Sequence, residues 1–142
     1  MADDLDVTIG DDFVATMEIR RPPNNFFDIT LIEAMAAAVS ALDHDPRCRA
    51  IVLCADGKHF CAGADFAASS DDRTAGRHLY DAATDLFATK TPVVAAIQGA
   101  AIGGGLGVAC FADFRIAAPE ARFSANFARL GFHHGFGLSV TL

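Results

Sequence analysis

Gly99-Ala100-Ala101-Ile102-Gly103-Gly104-Gly105-Leu106-Gly107 is the stretch on which the reading of this chain turns. The apolar run Val93–Ile97 before it has the composition of a strand, and residues 104–112 read as an apolar helix, so the glycines fall where a strand passes into a helix. At a helix start the first backbone N–H groups lack intrahelical acceptors, and the helix dipole adds partial positive charge. Glycines leave those groups uncovered, so negative charge is expected to bind there. A tight turn with close helix–strand packing is the other reading of the same residues. A dinucleotide fingerprint fits less well, because Val108 stands where a third glycine belongs.

The 142 residues suit one domain, and 52% hydrophobic residues with a mean hydropathy of +0.30 supply enough apolar material for a core. No internal repeat, linker or low-complexity stretch interrupts the chain, so residues 1–142 are read as a single domain. Eighteen acidic residues against eleven basic ones leave a net charge of −7 with no compensating Lys/Arg cluster, which argues against nucleic acid as a partner. The acidic start has no basic segment leading into an apolar run, and no apolar stretch reaches membrane-spanning length uninterrupted. The expectation is a cytoplasmic protein without a membrane partner. Cys48, Cys54, Cys61 and Cys110 contain no Cys-x-x-Cys pair and read as buried free thiols, so no metal site is expected.

Along the chain, Val7-Thr8-Ile9 and Val14–Ile19 around Gly10-Asp11-Asp12 predict a β-hairpin. Thr30 with Glu33 three residues on reads as a capping box opening a helix to about Leu42, stopped by Asp45-Pro46. Residues 48–55 read as a strand covered on both faces, followed at its carboxyl end by the loop 56–65. A helix is expected from Asp71 to about Ala88, then strands at 93–97, 114–117 and 121–123, with an irregular segment from Ser124 onward. Alternating strands and helices predict an α/β protein with a parallel sheet.

Four motifs in order, His59-Phe60-Cys61-Ala62-Gly63-Ala64-Asp65-Phe66, Lys90-Thr91-Pro92-Val93-Val94-Ala95-Ala96-Ile97, Gly103-Gly104-Gly105 and Ala112-Asp113, resemble the enoyl-CoA hydratase/isomerase (crotonase) superfamily over nearly the whole chain. The resemblance implies a crotonase-like ββα spiral that binds acyl-CoA thioesters and stabilises an enolate with two backbone N–H groups, here those of Ala64 and Gly104. Backbone donors suit that task because they are fixed before the reaction begins. It further implies that Ala62, Asp65 and Phe66 line the acyl-CoA cleft, with Arg20, Arg21 and Lys90 as candidate partners of the CoA phosphates. No cofactor is implied beyond the coenzyme A of the substrate, and the family assembles as trimers or dimers of trimers.

The sequence also departs from that pattern. The two glutamates that family hydratases use fall at Gly107 and Phe127, neither of which can transfer a proton. His133 and His134 are the candidate substitutes for acid/base work, with Asn126 as a residue that could orient a water or a carbonyl; an exposed loop pair is the plainer reading of the two histidines. His44, His59, His78 and Glu120 read as surface residues, and Asp113 and Arg115 as structural ones. Relatives continue past the equivalent of Leu142 through helices that cover the acyl pocket and pack in the trimer. Those C-terminal trimerisation helices are absent from these residues, which is expected to leave an apolar patch uncovered. The readings left standing are an acyl-CoA enzyme other than a two-glutamate hydratase, and a catalytically silent homologue that binds acyl-CoA or acts as an assembly partner.

Overall fold

The computed structural model describes residues 4–65 and 78–142. Strands β1 (Leu5–Ile9) and β2 (Val14–Ile19) form the expected antiparallel hairpin, with Leu5 opposite Ile19 and Ile9 opposite Ala15. Strands β3 (Ala50–Ala55), β4 (Val93–Ile97) and β6 (Phe114–Ala117) then add in parallel, giving the order β1-β2-β3-β4-β6. Parallel neighbours require crossovers, and helices α1 (Ile29–His44) and α2 (Leu79–Phe87) lie in two of them.

The core follows from side-chain periodicity. Met17, Ile19, Ile51, Leu53, Val93 and Ala95 alternate onto one sheet face and meet Leu31, Ile32, Met35 and Val39 of α1 and Ala82, Ala83 and Leu86 of α2. The other face of β3 is only half-buried at Val52 and Cys54, so the continuous apolar run is not covered equally on both sides as expected. Strand β6 is an exposed edge, with Phe114 65% and Ile116 68% accessible. No helix among the described residues is long and apolar enough to cross a membrane.

Local details differ from the sequence reading where side chains had competing uses. Helix α1 is capped by Asp28, whose Oδ1 accepts from the Leu31 N–H at 2.9 Å, and not by the expected Thr30–Glu33 box. A carboxylate at the cap position serves the free N–H groups as well as a hydroxyl does, and Asp28 also pairs with Arg21. His78 caps α2 through Nδ1, with Asp81 returning the hydrogen bond, so it has a structural use rather than only surface exposure. The first residues of the helix expected from Asp71 lie outside the described residues. His59 likewise accepts the Ala100 N–H at 3.1 Å.

One strand pairing is absent from the expectation. Strand β5 (Ala100–Ile102) runs parallel to β7 (Arg122–Ser124) as a separate two-stranded sheet, inside the stretch read as a direct strand-to-helix passage. Three residues are too few for alternation to register. Helix α3 (Gly104–Phe111) starts immediately after, and the segment read as irregular contains a 3₁₀ turn (Asn126–Leu130) and a short helix α4 (Leu138–Thr141).

Two polar anchors hold the loops in place. Asn25 is fully buried with φ +49, a backbone region asparagine tolerates better than most residues; its Oδ1 accepts from Arg21 N–H at 2.8 Å and its Nδ2 donates to the carbonyls of Asp56 and His59 at 2.7 and 2.6 Å. Asp43, near the end of α1, accepts from the hydroxyl and N–H of Thr91, the Lys90 N–H and the Thr89 hydroxyl. Burial opposes its ionisation, yet these hydrogen bonds prevail and hold the carboxyl below its ordinary value of 3.8.

Asn25→Ala leaves buried carbonyls and an N–H without partners, so urea denaturation is expected to show a loss of roughly 3 kcal/mol. For Asp43, the unfolded chain takes up the proton at a higher pH than the folded one. The stability it contributes is therefore present above 3.8 and lost as pH falls below that value. Acid unfolding of Asp43→Asn should accordingly be less steep below pH 3.8 than that of the parent.

Candidate functional site

The glycine stretch and the 61–65 loop meet because backbone lies directly on backbone. Cys61 donates to Ala100 O at 2.9 Å and accepts from Ile102 N–H at 3.1 Å, which lays the loop along β5. A Cβ on Gly105 would collide with the carbonyl of Cys61, and one on Gly104 would collide with the Phe27 ring. Gly103, the residue before α3, has φ +57. The other side of the loop is tied to the 24–27 segment: Ala62 donates to Asn24 O at 2.9 Å, Phe27 to Gly63 O at 3.0 Å and Asp65 to Phe27 O at 2.7 Å.

These ties shape a cavity of about 300 Å³ between the loop, the start of α3 and the 126–136 segment. Ala62, Gly63, Ala64 and Asp65 line one side and Ile102, Gly103 and Gly104 another. The remaining walls are mostly aromatic: Phe26, Phe27, Tyr80, Phe127, Phe132 and Phe136. The N–H groups of Ala64 and Gly104 have no acceptor among the described residues. Gly104 stands at the first position of α3, where an N–H is left over by the helix itself and the dipole is positive. Unpaired backbone N–H groups beside an apolar enclosure can stabilise negative charge on an oxygen that reaches them.

The other polar groups in the lining are few. Asp65 is the one carboxylate among the described lining residues. The Asn126 carboxamide lies close to Gly103 and has no hydrogen-bond partner among the described residues. Cys61 is buried beside the site, and burial pushes its thiol up to about 12, so it is an inert core residue. All four cysteines are free, but only Cys61 is buried as expected; Cys48, Cys54 and Cys110 are half-buried.

The structure does not bring the remaining candidates into the cavity. His133 and His134 stack on each other with ring centroids 4.1 Å apart, His133 Nδ1 lies 2.8 Å from His134 O, and both are exposed and outside the lining. The turn beyond them directs Phe136, not the histidines, inward. Lys90 lines a different and larger space of about 460 Å³ between α1 and α2, together with Glu33, Ser40, Asp43 and Asp85. That space shares no residue with the glycine stretch. Arg21 is bound to Asp4 at 2.9 Å and Asp28 at 3.0 Å, in a groove that shares Phe26 and Asp65 with the cavity. Arg20 is paired with Asp6 and Glu18. Phe66 lies outside the described residues. Phe127 is a wall of the cavity, whereas Gly107 is buried under Phe136.

The aromatic walls went unnoticed in the sequence. Gly135-Phe136-Gly137 carried the available signal, since two glycines around an aromatic mark a turn that can point a ring inward.

Comparison with known proteins identifies the family to which this fold belongs. The family model described as Enoyl-CoA hydratase/isomerase matches residues 10–142. The chain is 41% identical over 113 residues to a protein named probable enoyl-CoA hydratase from Mycobacterium tuberculosis, covering 76% of this chain and 44% of that protein. It is 38% identical over 123 residues to the human peroxisomal bifunctional enzyme, covering 86% of this chain and 17% of that one. Among solved structures, an enoyl-CoA hydratase/isomerase from Pseudoalteromonas atlantica superposes with a TM-score of 0.85 at 28% identity, over 97% of this chain and 56% of that chain. The chain thus spans about half the length or less of the relatives it matches. A family match over nearly all its residues, on a fold shared with solved members, shows that the chain belongs to the enoyl-CoA hydratase/isomerase family.

Proposed function

We infer that the cavity binds the acyl end of an acyl-CoA thioester, with the thioester oxygen between the N–H groups of Ala64 and Gly104. The observation that carries this reading is the pair of uncommitted backbone donors, from two different segments, in one apolar cavity. Charge that develops on that oxygen as an enolate forms is stabilised by donors already in place, in an enclosure of low polarity. Ala62 and Asp65 stand at the same cavity, on the side toward Arg21. No cofactor beyond the substrate's own coenzyme A enters this reading.

The reaction is not that of a two-glutamate hydratase. With Gly107 and Phe127 at the positions the resemblance assigns to the two acids, and Asp65 the single carboxylate of the described lining, the cavity offers no pair of carboxylates to deliver water and a proton. The same observation favours a second reading, a homologue that binds acyl-CoA without turning it over. The two differ in one measurable step, removal of the proton from the carbon next to the thioester.

Gly104→Pro and Gly104→Ala form the test of the donor. Proline is tolerated at the first helical position, and both variants place a Cβ against Phe27, but only proline removes the N–H. Turnover or α-proton exchange is expected to be lower in the proline variant than in the alanine variant by about 10²–10³. Equal values in the two overturn the assignment. Crotonyl-CoA hydration at the rate of ordinary family hydratases overturns the exclusion of hydratase chemistry. Deuterium wash-in next to the thioester in D₂O separates enzyme from silent binder. Assembly as a trimer or dimer of trimers is a further proposal for a protein that carries the family's C-terminal helices after these residues, and light scattering of such a protein tests it.

A further inference from the structure

Phe136 occupies an improbable place for its residue type. Its side chain is buried to 3% accessibility, yet its backbone has φ +53, a conformation that side chains with a Cβ rarely adopt. The ring packs against Phe27 at 5.2 Å and Phe87 at 6.2 Å between centroids. Its Cβ, Cδ1 and carbonyl oxygen stand 2.7, 2.7 and 2.8 Å from where a Cβ on residue 107 would sit, so glycine is needed at 107 to admit it. The strain is maintained because the surroundings determine the ring's position from several sides.

On one side Phe136 lines the cavity of about 300 Å³; on the other it lines a second space of about 400 Å³, bounded also by Ala83, Phe87 and Val140. Tyr80 is the one other residue common to both linings. A Cβ on residue 135 would collide with the Tyr80 hydroxyl, so that ring is seated against the turn that carries Phe136. Two aromatic side chains therefore divide two largely apolar spaces. The nearer one is at the small end for a ligand pocket.

We propose that Phe136, with Tyr80, is the wall that sets the length of acyl group this site accepts. The inference rests on the acyl-CoA reading above. With the thioester held at Ala64 and Gly104, a short acyl group ends within the first cavity and a long one meets the Phe136 ring. Methylenes that cannot pass the wall stay in water and add nothing to affinity, whereas each one buried is worth about fourfold.

The experiment is a ladder of butyryl-, hexanoyl-, octanoyl- and dodecanoyl-CoA, with free coenzyme A as baseline, titrated calorimetrically into the parent, Phe136→Gly and Tyr80→Ala. The parent is expected to gain affinity over the first steps and then level off before dodecanoyl-CoA. Phe136→Gly suits the positive φ and joins the two spaces, so its preference for dodecanoyl- over butyryl-CoA should rise by about tenfold or more relative to the parent. Tyr80→Ala, at a side chain 46% exposed, leaves the core intact and should shift the preference the same way by less. A parent whose affinity climbs by about fourfold per methylene through dodecanoyl-CoA overturns the wall without any variant having to fold. An unchanged preference in Tyr80→Ala and in a folded Phe136→Gly does so as well. If the parent binds butyryl-CoA no better than free coenzyme A, the acyl-CoA reading itself fails and takes this inference with it.

Discussion

The site depends on the approach of the Cys61 backbone to the start of α3. The Cys61 carbonyl and amide complete a short parallel pairing with Ala100 and Ile102, and the absence of a side chain at Gly105 lets the helix begin against that carbonyl. Backbone groups buried this closely must be paired, and the pairing fixes the loop relative to the helix. Ala64 follows three residues after Cys61 and Gly104 two residues after Ile102, so the same contact brings both residues to one cavity. The donors are therefore placed by main chain alone. Side-chain entropy has little hold on such an arrangement, which is what preorganisation requires.

Around this backbone frame the protein places rings inside and charges outside. Arg20, Arg21 and Arg47 are taken up by nearby carboxylates, and the Asp43 hydrogen bonds fasten the end of α1 to the segment leading into β4. The exposed pairs of Arg20 and Arg47 add little stability, whereas the half-buried Arg21 is held by two carboxylates at once. Inside, Phe27, Phe127 and Phe136 provide an apolar enclosure in which a backbone donor counts for more than it does in water. Phe136 and Gly107 are complementary, since a ring can enter only where the helix offers no side chain.

Much of the fold could be read from pattern. The hairpin, the long α1 and the strands at Val93–Ile97 and Phe114–Ala117 were visible because their apolar residues recur at the periods that helices and strands impose. Misreadings gather where several residues could serve one backbone need: Asp28 rather than Thr30 caps α1. They gather also where an element is too short for any period, as at Ala100–Ile102. His59 and His78 were read as surface residues because their acceptor roles depend on partners that sequence spacing does not show.

Family membership was legible in the sequence itself, since ordered motifs are properties of residue type and spacing. Tertiary structure alone decided which side chains face the cavity. The resemblance put His133 and His134 in the loop beside the reacting acyl group, but the turn with a positive φ at Phe136 sends that residue's ring to the cavity and leaves the histidines stacked on each other in solvent. Lys90 lines a different space, between α1 and α2, which shares no lining residue with the cavity. Direction, unlike periodicity, depends on backbone angles and long-range contacts that no local stretch of residues specifies.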